Sequence, residues 1–286
     1  MDLSKELALH RGYLVGLAYR MLGSRAEAED AVQEGFTRAL QTPSSADVDS
    51  PRAWLARVVT NVCLDQLKSA KTRRETYVGP WLPEPLVGES ERLPVGVEVE
   101  NAEAISLAFL LVLERLSPLE RAAYLLREVF DYSYAEVASF LARDEAAVRQ
   151  LVHRAGEHVR VARPRFAPTA EAHREILERF AVACASGDLS TITPLLHRDV
   201  TLWSDGGGKV HAARKTVHGA DPVGRLIVGI LKRANAGWTS AVEEVNGWPS
   251  LVAREDGAVR AVVGLETDGV DIYAVHIIVN PSKLAH

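Results

Sequence analysis

Residues 133–155 read SYAEVASFLARDEAAVRQLVHRA, and this stretch decides the fold of the first half of the chain. Ser133 and Glu136 form a capping box that opens a short helix with Val137, Ala138 and Leu141 facing inward. A tight turn at Ala142-Arg143 comes next, and Asp144 caps a second helix whose apolar stripe is Val148, Leu151, Val152 and Ala155. Two helices, the first short, joined by a three- to four-residue turn outline a helix-turn-helix. Its outward residues are Glu145, Arg149, Gln150, His153 and Arg154. Arginine and glutamine there can reach guanine or adenine edges in a major groove, and the helix N-terminus offers amides to phosphate. From Arg143 to Arg165 there are six arginines against three acids. A solvated face of an ordinary bundle is the competing reading. A second capping box just upstream, Ser117 with Glu120, favours the DNA-binding one.

Toward the N-terminus the pattern stays helical. Leu14, Leu17, Ala18, Met21 and Leu22 recur at helical spacing until Gly23. Ser24 and Glu27 start the next helix, with Ala28, Ala31, Val32, Gly35, Phe36 and Ala39 as its apolar stripe. Ser50-Pro51 opens a third, carrying Trp54, Leu55, Val58 and Val62 inward, with Arg57, Asn61 and Lys68 off that face. The basic cluster Lys71, Arg73 and Arg74 continues the surface. A solvated face and a surface for opened DNA fit these positions equally well.

Between Gly79 and Glu100 four prolines and five glutamates against one arginine mark an extended acidic linker. Trp81, Leu82 and Leu86 are apolar, which predicts that this linker docks on something. Beyond Pro164 and Pro168 the periodicity changes. A helix (Ile176, Leu177, Phe180, Cys184), a short one (Leu189, Ile192, Leu195) and a strand Val200 to Ser204 come first. Then come a helix capped at Asp221 and strands punctuated by Asp256-Gly257 and Asp268-Gly269. This predicts an α+β domain, a curved antiparallel sheet with helices on one face.

The 286 residues are 47% hydrophobic and 25% charged with a net charge of −5, an ordinary globular composition that leaves room for local basic patches. No apolar run could cross a bilayer and no signal-peptide layout opens the chain, which predicts a cytoplasmic protein with no membrane partner. Cys63 and Cys184 stand in apolar helical patterns, so buried thiols are expected and no metal site.

Several of these segments resemble region 2 of the extracytoplasmic-function sigma factors: Tyr19-Arg20-Met21-Leu22-Gly23, Asp30-Ala31-Val32-Gln33-Glu34-Gly35-Phe36, and Pro51-Arg52-Ala53-Trp54-Leu55 through Asn61 to Asp65. Leu116-Ser117-Pro118 through Arg154 is similar to region 4. The resemblance implies a non-enzymatic subunit that gives RNA polymerase its promoter specificity, with core polymerase (β′ clamp helices and β subunit) and promoter DNA as partners and no cofactor. It implies that Asp30, Gln33, Glu34 and Phe36 dock on the β′ clamp helices. Asn61 and the loop holding Ser44 and Ser45, with Lys68, Lys71, Arg73 and Arg74, would capture the opened −10 element. The helix Glu145 to Arg154 would read the −35 element. One position departs from the family: Ala142-Arg143 stands where glycine and an aliphatic residue are usual.

Three further segments, Gly79-Pro80-Trp81-Leu82-Pro83-Glu84-Pro85, Asp205-Gly206-Gly207-Gly208-Lys209 and Asn280-Pro281-Ser282-Lys283-Leu284, are similar to signatures of one sigma group with a C-terminal SnoaL-like extension. Ser282 replaces that group's usual aspartate. The expected fold is therefore two all-α sigma modules (a region 2 bundle and a region 4 helix-turn-helix) plus a C-terminal α+β SnoaL-like cone. The expected domains are 1–78, a linker 79–100, 101–165 and 166–286. The expected regulatory contacts are Trp81, Leu82, Glu84, Asp205, Lys209, Asn280 and Lys283. In particular, Lys209 is expected to meet Glu84, and Asp205 to accept from linker amides. The chain is expected to be a monomer that holds its two DNA-reading modules apart on a flexible tether.

Two rival functions fit the same residues. One is a free-standing repressor using the helix-turn-helix alone, for which the Asp30 to Phe36 helix would have no purpose. The other is an enzyme in the cone, with Asp205, Glu266, Asp271 and His276 as acid/base candidates and Trp203 and Trp238 as walls. The cone is also where a small-molecule ligand would fit.

Overall fold

Gly23 takes φ 72°, a conformation that ends a helix cheaply only because it has no side chain, and α1 (Leu3–Leu22) stops there. Ser24 accepts from the Glu27 amide at 3.3 Å and starts α2 (Arg25–Leu40). The third helix, α3, spans Pro51–Glu75. A β-carbon on Gly35 would lie 2.9 Å from Val59, so glycine lets α2 and α3 approach. The computed structural model describes residues 3–41, 50–75, 77–88, 106–162, 168–233 and 237–285.

The second helical set is α4 (Leu107–Glu114), α5 (Pro118–Tyr124), α6 (Tyr134–Leu141) and α7 (Glu145–Ala162). Both capping boxes are present with reciprocal bonds, Ser117 with Glu120 and Ser133 with Glu136. One feature was not read from the sequence: α5 runs into a π-helical turn, Leu125–Val129, closed by the Phe130 amide on the Leu125 carbonyl at 2.9 Å. The added residue per turn rotates the downstream chain, and Phe130 meets Tyr13 edge-on at 5.3 Å. The Tyr13 and Tyr132 hydroxyls bond at 2.6 Å, and burial pushes both phenols above their usual range.

These contacts belong to one compact unit, Met1–Glu75 with Arg92–Arg163. Arg121 helps to unite it. Almost wholly buried, it donates to the Met21 carbonyl and the Glu114 carboxylate, each at 2.6 Å, and burial lowers its pKa to about 10. The expectation of two modules held apart is thus corrected. Apolar faces of α1 and α3 that lack a partner within their own bundle are covered by α4, α5 and α6.

The second unit is Thr76–Glu91 with Pro164–His286. Residues 77–88, assigned to the linker from sequence, go with the C-terminal domain, because Leu82 and Leu86 bury there at 1% and 3% exposure. Its elements are α8 (Ala170–Ser186), α9 (Leu189–Ile192), β1 (Leu196–Asp205), β2 (Val217–His218), α10 (Ala220–Leu231), β3 (Thr239–Val245), β4 (Trp248–Glu255), β5 (Ala258–Thr267), β6 (Ile272–Ile278) and α11 (Pro281–Leu284). The sheet order is β2-β1-β6-β5-β4-β3, antiparallel except for the parallel pair β1 and β6. The Asp256-Gly257 turn, with φ 51° and 81°, joins β4 to β5 as expected. Asn246-Gly247, with φ 52° and 76°, does the same for β3 and β4. Asp221 is not the cap of α10. Gly219 holds that position without a side-chain bond, and Asp221 pairs with Arg225 one turn on.

Register separates the two faces of the sheet. Leu202, Val275 and Leu265 lie abreast and join the apolar cluster of α8 and α10 that includes Ile176, Phe180, Val223 and Ile227. Trp203, His276 and Gly264 lie abreast on the opposite face. Cys63 and Cys184 are buried free thiols, and burial pushes Cys184 up to about 12.

Candidate functional site: a DNA-reading helix and a linker clamp

The first site lies in the helical unit. The turn before α7 places Ala142 at φ 50°, ψ 52°, the left-handed conformation that explains why glycine is usual there. Asp144 accepts from the Ala147 amide at 2.7 Å and fixes the start of α7. Glu145, Arg149, Gln150, His153 and Arg154 are all exposed on one side, while Val148, Val152, Ala155 and Val159 are buried. Arg149 pairs with Glu145 at 3.3 Å and lies 4.0 Å over the Tyr134 ring, and Arg154 pairs with Glu120 at 3.2 Å. These are surface contacts, each worth little to stability.

On α2, Asp30, Gln33 and Glu34 are exposed, and Phe36 is half-buried rather than part of the stripe. Glu34 pairs with Arg38. Asn61 on α3 donates to the Arg57 carbonyl at 2.9 Å and to the Phe140 carbonyl of α6 at 3.4 Å, so its amide is partly engaged by the helix-turn-helix module. Lys68 pairs with Asp65 at 3.3 Å. Lys71, Arg73 and Arg74 fall on the last turns of α3, where side chains are outside the described residues, as are Ser44 and Ser45 entirely.

The second site lies in the C-terminal unit and converges on Asp205, which is fully buried. Its carboxylate accepts from the Tyr77 hydroxyl at 2.6 Å, the Leu82 amide at 2.9 Å, the Gly207 amide at 3.0 Å and Lys283 Nζ at 2.8 Å. Lys283 also donates to the Leu82 carbonyl and lies 4.1 Å over the Trp81 ring. Asn280 donates to the Tyr77 hydroxyl at 2.9 Å. Burial, with the Asp205 carboxylate beside it, pushes the Tyr77 phenol above its usual range.

Further along, Leu86 and Asn246 bond reciprocally at 3.0 Å, and Val87 bridges to Val245 in antiparallel fashion. A β-carbon on Gly207 would lie 2.3 Å from Asn280 Nδ2, and one on Gly208 would lie 3.1 Å from Val78. The glycines therefore serve close approach as well as the turn.

Asp205 thus accepts from a linker amide in the expected way, but the cation differs. Lys209 meets Ser282, not Glu84, because the turn carries it toward the start of α11; Glu84 is itself buried. Tyr77 and Asn246 were missed. Tyr77 gave no signal, whereas Asn246-Gly247 was a readable hairpin dipeptide.

Of the four acid/base candidates, one acid and the histidine come together. Glu266 and His276 bond at 2.8 Å, with Trp203 stacked on His276 at 5.0 Å. They occupy the sheet face away from α8 and α10, and so lie outside the sheet–helix interior. Asp205 is taken by the clamp. Among the described residues no group of three or more His, Cys, Asp or Glu could hold a metal, and no helix is long and apolar enough to cross a membrane.

A helix-turn-helix with exposed arginines, packed with a second helical module and followed by an α+β unit, defines a DNA-binding transcription protein. Residues 7–73 match the model of Sigma-70 region 2 and residues 106–159 that of Sigma-70, region 4. The ECF RNA polymerase sigma factor SigJ of Mycobacterium tuberculosis is 43% identical over 96% of this chain and 84% of its own length. SigI of the same organism is 34% identical over 96% of this chain and 92% of its own. The crystal structure of M. tuberculosis SigJ superposes with a TM-score of 0.75 at 37% identity, covering 99% of this chain and 98% of that one. The chain belongs to the ECF RNA polymerase sigma factors, which direct promoter recognition and transcription initiation.

Proposed function

We propose that the C-terminal unit controls the sigma modules in cis by keeping residues 77–88 seated on its sheet, which sets how much chain connects region 2 to region 4. The observation that carries this reading is the Asp205 carboxylate, which holds the Leu82 amide and Lys283 while Lys283 holds the Leu82 carbonyl. A proline-stiffened segment pinned at Leu82 and again at Leu86 and Val87 behaves as a fixed strut. Within the sigma modules, Asp30, Gln33, Glu34 and Phe36 dock on the β′ clamp helices. Asn61 and the end of α3 capture the opened −10 strand, and Arg149, Gln150, His153 and Arg154 read the −35 element.

The control is tested by promoter-dependent transcription with Trp81→Ala and Lys283→Ala. Each should change transcript yield while core binding is retained, and the double variant should be no worse than the more severe single one. Fully additive effects would end the idea. For the DNA contacts, Arg149→Ala should weaken −35 recognition by about 1–3 kcal/mol and relax specificity there. Asn61→Ala should leave closed-complex binding and slow strand opening, as read by permanganate footprinting. Equal loss of binding in both variants would contradict the division of labour.

A further inference from the structure

The loop between β1 and β2 has features that the clamp does not use. Residues 206–216 carry Lys209, His211, Arg214 and Lys215 and no acid, in a chain whose net charge is −5. All four side chains are exposed. Lys209 is turned onto Ser282. Among the described residues His211, Arg214 and Lys215 have no ion pair. Elsewhere in the unit Arg225, Arg254 and Arg260 pair with Asp221, Glu243 and Glu255, while among the described residues Arg174, Arg179, Lys232 and Arg233 have no ion pair. With no acid among residues 206–216, the loop is locally basic and favours an anion.

The backbone that carries them is fixed by packing. Glycines 206 and 208 allow contacts with Ala212 and Val78, and Gly79 stands against the Ala213 carbonyl and Arg214. The loop thereby borders a groove of about 230 Å³ lined by Val78, Gly206, Gly208 and residues 209–214. This is ample for a phosphate group and its water, and the lining carries Lys209, His211 and Arg214 beside Val78, Val210, Ala212 and Ala213.

The chain itself indicates which phosphates are at hand. Val78, which lines the groove, comes four residues after Arg74, at most about 14 Å of fully extended backbone. Lys68, Lys71, Arg73 and Arg74 are the cations proposed above to meet opened DNA, and the inference rests on that reading. We propose that Arg214, Lys215 and His211 form a further phosphate-contact surface on promoter DNA, beside the segment that the end of α3 engages. The contact is electrostatic and independent of sequence.

The test is the salt dependence of promoter binding by the holoenzyme. Each phosphate contact contributes about 0.9 to the slope of log K against log salt concentration. Arg214→Gln with Lys215→Gln should therefore flatten the slope by about 1 to 2, with core binding unchanged. Lys232→Gln with Arg233→Gln removes the same charge from the exposed end of α10 and should leave the slope as in wild type. Since both native cysteines are buried, Lys215→Cys can carry a photo-cross-linker, which should mark promoter DNA. A wild-type slope in the Arg214/Lys215 variant, equal flattening in both double variants, or adducts on polymerase in place of DNA would each overturn the proposal. If wild-type holoenzyme shows no salt-dependent promoter binding, the reading of the α3 cations fails first and this proposal falls with it.

Discussion

Ala142, Arg149 and His173 show how much a single position can carry. A non-glycine residue in the left-handed region is strained by roughly 1–2 kcal/mol. Ala142→Gly should relieve this and stabilise the helical unit by about 0.5–1 kcal/mol, read as a raised melting midpoint. A lowered midpoint would show that the turn is not strained. Arg149 rests on the Tyr134 ring in the free protein, in the exposed position from which we propose that it meets DNA. His173 bonds the Pro249 carbonyl at 3.1 Å, yet burial outweighs that bond and lowers its pKa. The unfolded chain therefore takes up a proton first as pH falls below about 6.5. The C-terminal unit should lose stability from there downward until the folded-state pKa is reached, and His173→Gln should flatten that part of the curve.

At the scale of elements, local signals and distant partners divide the work. Capping boxes at Ser117 and Ser133 and the Asp256-Gly257 turn act within four residues, so their elements were legible. The linker was legible only as a segment seeking a partner. Its partner, the end of β1 with the start of α11, lies more than a hundred residues away, and side-chain reach in the fold chose Lys283 over Lys209. Lys283 and Asp205 are both buried, so Asp205→Ala strands an ammonium and should cost about 3–5 kcal/mol. Adding Lys283→Met should recover part of that loss. Limited proteolysis within residues 77–88, together with thermal melting, checks both. Ser282→Asp should convert the Lys209 hydrogen bond into an ion pair and shift stability by no more than about 1 kcal/mol, because Lys209 is exposed.

For the molecule as a whole, the helical unit joins regions 2 and 4 in one core. Asn61 donates to the Phe140 carbonyl, and the Tyr13 and Tyr132 hydroxyls bond across the two modules. The isolated chain should therefore bind promoter DNA weakly and salt-sensitively, and open it only with core polymerase. Tyr132→Phe removes one buried bond, about 1 kcal/mol, and should raise DNA binding by the isolated chain several-fold in a filter-binding assay. Tight sequence-specific binding by the wild-type chain, unchanged by core, would instead fit a free-standing repressor.

Periodicity, caps and turn dipeptides determined the helices, most strands and the surface that α7 presents, because those signals act between residues a few positions apart. Tertiary structure alone decided that regions 2 and 4 share a core, that residues 77–88 belong with the C-terminal unit, and that Glu266 and His276 meet outside the sheet–helix interior. These outcomes depend on which buried surfaces find one another across the chain. That choice is made by packing and by the need to satisfy buried charge, neither of which leaves a mark at short sequence range.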